Sequence, residues 1–237
     1  GVEIALPLQP GVTAYTYHYR ESCDFHALNH TVQKGGYYTF DLMLKGEKVR
    51  GCRLGVPGWI NVENAVGASA LAYLNGVVPA AIKEALASFR GVSRRLDVCY
   101  SGKQCCYIDD YAHHPEEIRA AVLSVREWFP GEKITGIFQP HLYTRTRDFA
   151  PEFAKSLDLL DQVVLMPVYP ARELPIPGVE SEMIAGKMTL KNVIILDSSQ
   201  ITGFVRENKP RVLLTLGAGN IDRLVEPITA TLKEMKL

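Results

Sequence analysis

From Val98 onward, short apolar runs alternate with amphipathic stretches, and this alternation limits the possible folds more than any other feature of the sequence. The pattern predicts a hairpin, 96–100 with 104–108, that turns at Ser101-Gly102-Lys103. Strands are then expected at 133–138, 162–168, 192–196 and 211–216. Helices are expected at 115–128, 146–159, near Ser181, at 198–207 and at 220–236. Apolar strands that alternate with amphipathic helices require a parallel sheet covered on both faces.

The first part of the chain follows another grammar. Val12 to Tyr19, His26 to Gln33, Tyr37 to Leu44 and Val49 to Leu54 read as strands of an antiparallel meander, with Lys34-Gly35-Gly36 as a hairpin turn. Helices follow at 61–74, closed by Gly76, and from Pro79 to Phe89, closed by Gly91. Two helices after so little sheet read as the back half of a domain. The expected domains are 1–96 and 97–237, with the boundary near Leu96.

Composition removes several classes of function. The formal net charge is +0, so no global field draws nucleic acid or an anionic membrane. No apolar run is long enough to span a bilayer, and Gly1 to Leu6 lacks the basic-then-apolar order of a signal peptide. The five cysteines are odd in number and lack any C-x-x-C, which points to buried free thiols in a reducing, cytoplasmic compartment. The start without Met adds to the expectation of a longer protein.

Residues capable of chemistry gather where strands hand over to helices. Tyr107-Ile108-Asp109-Asp110-Tyr111-Ala112-His113-His114-Pro115-Glu116-Glu117 runs from an apolar strand end into a helix start. Pro115 suits the first helical position, and the two glutamates favour the positive end of the helix dipole. A carboxylate here can bind ribose hydroxyls or Mg²⁺, and Tyr and His can bind an anion or move protons. The bland alternative is a capped helix with solvated histidines. Phe138-Gln139-Pro140-His141-Leu142-Tyr143-Thr144-Arg145-Thr146-Arg147 occupies the same position in the next unit, with Thr144 or Thr146 as a possible cap. The two stretches are therefore expected side by side.

Asn61 and Asn64, one helical turn apart, suit a purine edge or simply a cap plus a surface residue. Arg94-Arg95 is a phosphate fork or a solvated linker pair. Gly217-Ala218-Gly219-Asn220 reads as a tight turn, and Pro170 to Gly178 as a loop with no assigned role, although it carries Arg172 and Glu173. No G-x-x-x-x-G-K-[ST] phosphate loop occurs.

Taken together, these stretches resemble the Mur ligases, the ATP-dependent amide-forming enzymes of peptidoglycan synthesis. The carrying residues are Gly58 to Ala65, Arg94-Arg95, Asp109 to Pro115, Phe138 to Thr146, Tyr169 to Gly178 and Gly217 to Ile221. The resemblance implies an α/β chain in which a Rossmann-like C-terminal domain, 97–237, follows the incomplete end of a central ATPase domain, 1–96. Within the family, the branch that joins L-alanine to UDP-N-acetylmuramate is the most similar. Asn61 and Asn64 would contact adenine, Arg95 the phosphates and Asp110 the ribose. Tyr111, His113, His141 and Arg145 would face the muramyl substrate and alanine, with His113 and Arg145 as the catalytic pair. ATP and Mg²⁺ are the implied cofactors, and the missing front of the same protein the implied partner. The chain alone would be inactive without its phosphate loop. Alternatives are a ligase that attaches a recycled tripeptide, or a non-catalytic binding fragment. Two positions depart from the family pattern: Ile60 stands where His is common, and Leu142 where Arg is common.

Overall fold

The computed structural model describes residues 9–33 and 35–236 and divides into two compact units between Arg90 and Gly91. That division falls six residues before the boundary expected at 96. Gly1 to Leu6 and Lys34 lie outside the described residues.

The first unit has strands β1 (Tyr17–His18), β2 (Phe25–Val32), β3 (Tyr37–Leu44) and β4 (Glu47–Pro57), followed by helices α1 (Trp59–Leu74) and α2 (Pro79–Ser88). Strands β2, β3 and β4 form the expected antiparallel meander. Alternate residues of β3 are buried, as a sheet with one covered face requires. Phe25, Phe40, Leu42, Leu44 and Leu54 meet Val62, Val66 and Ile82 of the helices in its core.

The first expected strand is corrected. Only Tyr17–His18 is extended in a ladder, and it runs parallel to β2. Local hydrogen bonds explain this. His18 Nδ1 accepts the Arg20 and Glu21 amides at 3.0 and 2.8 Å, which turns the chain. The Asp24 carboxylate then binds the Thr16 amide at 2.8 Å, so the chain re-enters the sheet in its original direction.

The second unit holds β5 (Asp97–Ser101), β6 (Cys106–Asp110), α3 (Pro115–Trp128), β7 (Ile134–Phe138), α4 (Tyr143–Leu157) and β8 (Gln162–Leu165). It continues with α5 (Ser181–Ala185), β9 (Val193–Ile195), α6 (Ile201–Asn208), β10 (Val212–Leu216) and α7 (Val225–Met235). The sheet order is β5-β6-β10-β7-β8-β9, and only β5 is antiparallel to its neighbour. The last strand thus returns to lie between β6 and β7, which are not neighbours as their consecutive order implied. Every residue of β6, β7 and β10 is buried, as expected of strands covered on both faces.

Helix α4 is bent. Pro151 lies inside it and Phe149 has non-helical angles, φ −117° and ψ 16°. Proline removes one rung of the helical ladder and crowds the carbonyl four residues back, here Arg147. Beyond the bend, Phe153, Ala154 and Leu157 are buried. All five cysteines are unpaired. Burial pushes the Cys105 thiol up to about 12 and that of Cys106 to about 11.

Candidate active site

The carboxyl ends of β6, β7, β8 and β10 share one edge of the second sheet, and the loops that leave them build the site. Asp109, at the end of β6, is buried. Its Oδ2 accepts Arg94 Nε at 3.0 Å and its Oδ1 accepts the Thr215 hydroxyl at 2.6 Å. That bond uses the one hydroxyl hydrogen of Thr215, so Tyr107, 3.0 Å away, donates to Thr215. Arg94 also donates from Nη2 to the Gly217 carbonyl at 2.6 Å. Its guanidinium lies 5.1 Å from the Tyr111 ring centroid and that of Arg95 lies 5.6 Å from it. Of the predicted phosphate fork, Arg94 is therefore committed to the frame, and Arg95 is the exposed member.

Asp110 is 6% exposed. Its Oδ2 accepts the Leu96 amide and its Oδ1 the Ala112 amide, both at 2.8 Å. Both oxygens thus hold backbone, which gives Asp110 a positioning role in the loop. Burial raises its pKa to about 6, against the lowering effect of the two amides and Arg95. The folded state then holds this proton more tightly than the unfolded chain, whose carboxyl titrates near 3.8. Stability of the second unit should fall as pH rises from about 4 to about 6, by up to ~3 kcal/mol. Urea titrations across that window check this, because Asp110→Asn should flatten the slope.

His113 comes next. Its Nδ1 is 3.0 Å from the Tyr111 carbonyl and 3.3 Å from Glu117 Oε2. Two acceptors around Nδ1 place the hydrogen there and leave Nε2 of the neutral ring as the open lone pair. Glu117 Oε2 also accepts the His113 and His114 amides, at 3.0 and 3.2 Å. These bonds tie the loop to the start of α3, where Pro115 takes the first position as predicted.

Beyond β7, Gln139 accepts the Ile221 amide at 2.9 Å and donates to Asn220 at 2.7 Å. A Cβ on Gly219 would lie 2.5 Å from Gln139 Oε1 and 2.8 Å from the Tyr169 Cβ, so the turn after β10 needs glycine. His141 bridges to Tyr169, and their rings stack with centroids 5.6 Å apart. The chain then turns sharply at Leu142, whose φ is 72°, and enters α4.

Neither Thr144 nor Thr146 caps α4 with its side chain. Glu173, from the loop left without a role, does so instead. Its Oε2 accepts the Thr144 amide at 2.9 Å and its Oε1 the Thr144 hydroxyl. Those bonds hold the Glu173 carboxyl below its usual range. Thr146, fully buried, donates its hydroxyl back to the Leu142 carbonyl at 2.8 Å.

The imidazoles of His113 and His141 meet with centroids 6.0 Å apart, and Tyr111 lies 5.2 Å from His113. Burial lowers the His141 pKa, and the charges of Arg145 and His113 lower it further while Glu173 raises it. His113, His141, Arg145 and Glu173 are thus one electrostatic group on one side of the sheet. His141 Nδ1 and Arg145 Nη1 are buried and have no hydrogen-bond partner. Asn61 and Asn64 belong to the first unit, on α1, where Asn61 Nδ2 donates to the Pro57 carbonyl at 2.7 Å. Sequence reasoning missed Glu173 and Tyr169. The signal for Glu173 was a lone acid in a loop that leaves the same sheet edge as a basic helix start.

A strand-edge cluster of imidazoles and guanidinium on a mostly parallel α/β sheet is what the family model described as Mur ligase, glutamate ligase domain, covers at residues 94–219. The chain belongs to the Mur ligase family. A UDP-N-acetylmuramate--L-alanine ligase of Parabacteroides distasonis is 48% identical over 228 residues, 96% of this chain and 49% of that protein. A ligase of the same name from Porphyromonas gingivalis is 45% identical over 86% of this chain and 47% of that protein. The crystal structure of a Thermotoga maritima UDP-N-acetylmuramate-alanine ligase superposes with a TM-score of 0.74 at 27% identity. That match covers 94% of this chain and 48% of the Thermotoga chain. The chain spans about half the length of the relatives it matches.

Proposed function

We propose that this chain is the C-terminal part of a cytoplasmic ATP-dependent ligase that joins L-alanine to UDP-N-acetylmuramate. Residues 1–96 would close the central ATP-binding domain and residues 97–237 form the domain that receives the amino acid. The observation that carries this reading is the meeting of His113, His141 and Arg145 at the carboxyl edge of the sheet, with His141 Nδ1 and Arg145 Nη1 buried and unpartnered. Names borne by relatives at up to 48% identity support the substrate pair.

In the reaction, the lactyl carboxylate takes the γ-phosphoryl group and ADP leaves. The alanine amine then attacks the acyl carbon, the amide forms, and phosphate departs with its electron pair. His141 would hold the anionic acyl phosphate as a fixed donor, which stabilises developing charge without reorganisation, and Arg145 would hold the carboxylate of the incoming alanine. The amine must lose a proton, and Nε2 of His113 is the open base beside it. Asn61 and Asn64 would bind the adenine, Arg95 the phosphates and Asp110 the ribose. Magnesium would neutralise phosphate charge and would be held largely by the phosphates themselves. Among the described residues no cluster of three or more His, Cys, Asp or Glu is placed to hold it.

The test is phosphate release and amide formation by the full-length protein given ATP, UDP-N-acetylmuramate and L-alanine. The isolated chain should give neither product. Incorporation of a tripeptide in place of alanine would move the protein to the recycling branch, and no ligation at all would refute the proposal.

A further inference from the structure

We propose that Glu173 recognises the amino group of the incoming amino acid, whose carboxylate the ligase reading gives to Arg145, and so sets specificity for a free α-amino acid. This rests on the ligase reading above. A free α-amino acid presents a cation and an anion separated by one carbon. A site that selects it needs opposite charges side by side, whereas a site for phosphates alone needs only cations.

The group around His141 is formed by His113, whose Nδ1 faces Glu117, and by Arg145. Glu173 enters it from another element. Its position is fixed from two sides. The loop is pinned at Tyr169, whose amide donates to the Pro140 carbonyl at 2.8 Å and whose carbonyl accepts the Leu142 amide at 2.9 Å. The carboxylate itself is aligned by the amide and hydroxyl of Thr144, the residue immediately before Arg145. Each carboxylate oxygen accepts one hydrogen from Thr144, and an ionised carboxylate has about four acceptor positions. Acceptor capacity therefore remains on Glu173 for an ammonium donor, and Glu173 and Arg145, whose Nη1 is unspent, both act on the His141 ring. A capping acid would serve as well at any helix start. Here it stands among the groups that would bind the rest of the same substrate.

Steady-state kinetics of the full-length protein test this. Glu173→Gln keeps the shape and one acceptor but removes the charge. It should raise the KM for L-alanine by about ten- to a hundredfold, the size of a lost charged hydrogen bond, with the KM for UDP-N-acetylmuramate and ATP within twofold of wild type. An unchanged alanine KM, or an equal rise in all three, would show a helix cap only and overturn the inference. If the Gln variant does not fold, Glu173→Asp, which keeps the charge and withdraws it by one methylene, should still raise the alanine KM selectively. An unchanged value there is equally fatal. Absence of ligation by the wild-type protein would defeat the ligase reading instead.

Discussion

Arg94→Ala is expected to destabilise the second unit by about 3 kcal/mol, because it leaves the Asp109 charge buried without its partner. Asp109 would keep the Thr215 hydroxyl at 2.6 Å but lose the guanidinium at 3.0 Å, and the Gly217 carbonyl would lose its donor. Lysine should not rescue the variant, because a single ammonium cannot span Asp109 and Gly217 as a planar fork does. Replacing both partners, as in Arg94→Met with Asp109→Leu, should recover much of the loss, since no buried charge is then stranded. The chain has two tryptophans, Trp59 in the first unit and Trp128 in the second. Urea unfolding followed by Trp128 fluorescence in a Trp59→Phe background isolates the relevant transition. A change below about 1 kcal/mol would show that the ion pair is too well solvated to matter.

Arg145→Ala should separate activity from stability. Arg145 Nη1 is buried and makes no hydrogen bond within the chain, so its removal strands no partner. The melting temperature of the variant should stay level or rise slightly. In the full-length ligase, kcat/KM for L-alanine should fall by about ten- to a hundredfold, the cost of a lost charged hydrogen bond to the carboxylate of alanine. Equal activity would remove Arg145 from the site. Equal losses of stability and activity would make it a structural residue.

Much of the fold was legible because its signals are local. The apolar runs of β6, β7 and β10, and Pro115 at the head of α3, are fixed by burial and by backbone chemistry that a short window contains. What the sequence hid was partnership across distance. Tyr17–His18 has the residues of a strand, but its direction depends on His18 and Asp24 as hydrogen-bond partners. The placement of β10 between β6 and β7 is set by a crossover from the far edge, which periodicity does not encode. The same holds at the site. His113, His141 and Arg145 stood out because their strands end on one edge. The positioning role of Asp110 was hidden because sequence does not show that the Leu96 and Ala112 amides each bond one of its oxygens. Glu173 looked idle because Thr144 lies 29 residues away from it.

The break at Phe149 and Pro151 divides α4 into two mechanical parts. The distal part is seated in the core by Phe153, Ala154 and Leu157. The proximal part carries Thr144 and Arg145 and joins the rest through a joint that already lacks one hydrogen-bonded rung. Small adjustments of the guanidinium toward an arriving molecule can thus be absorbed at that joint, and the packed interior need not register that anything has bound.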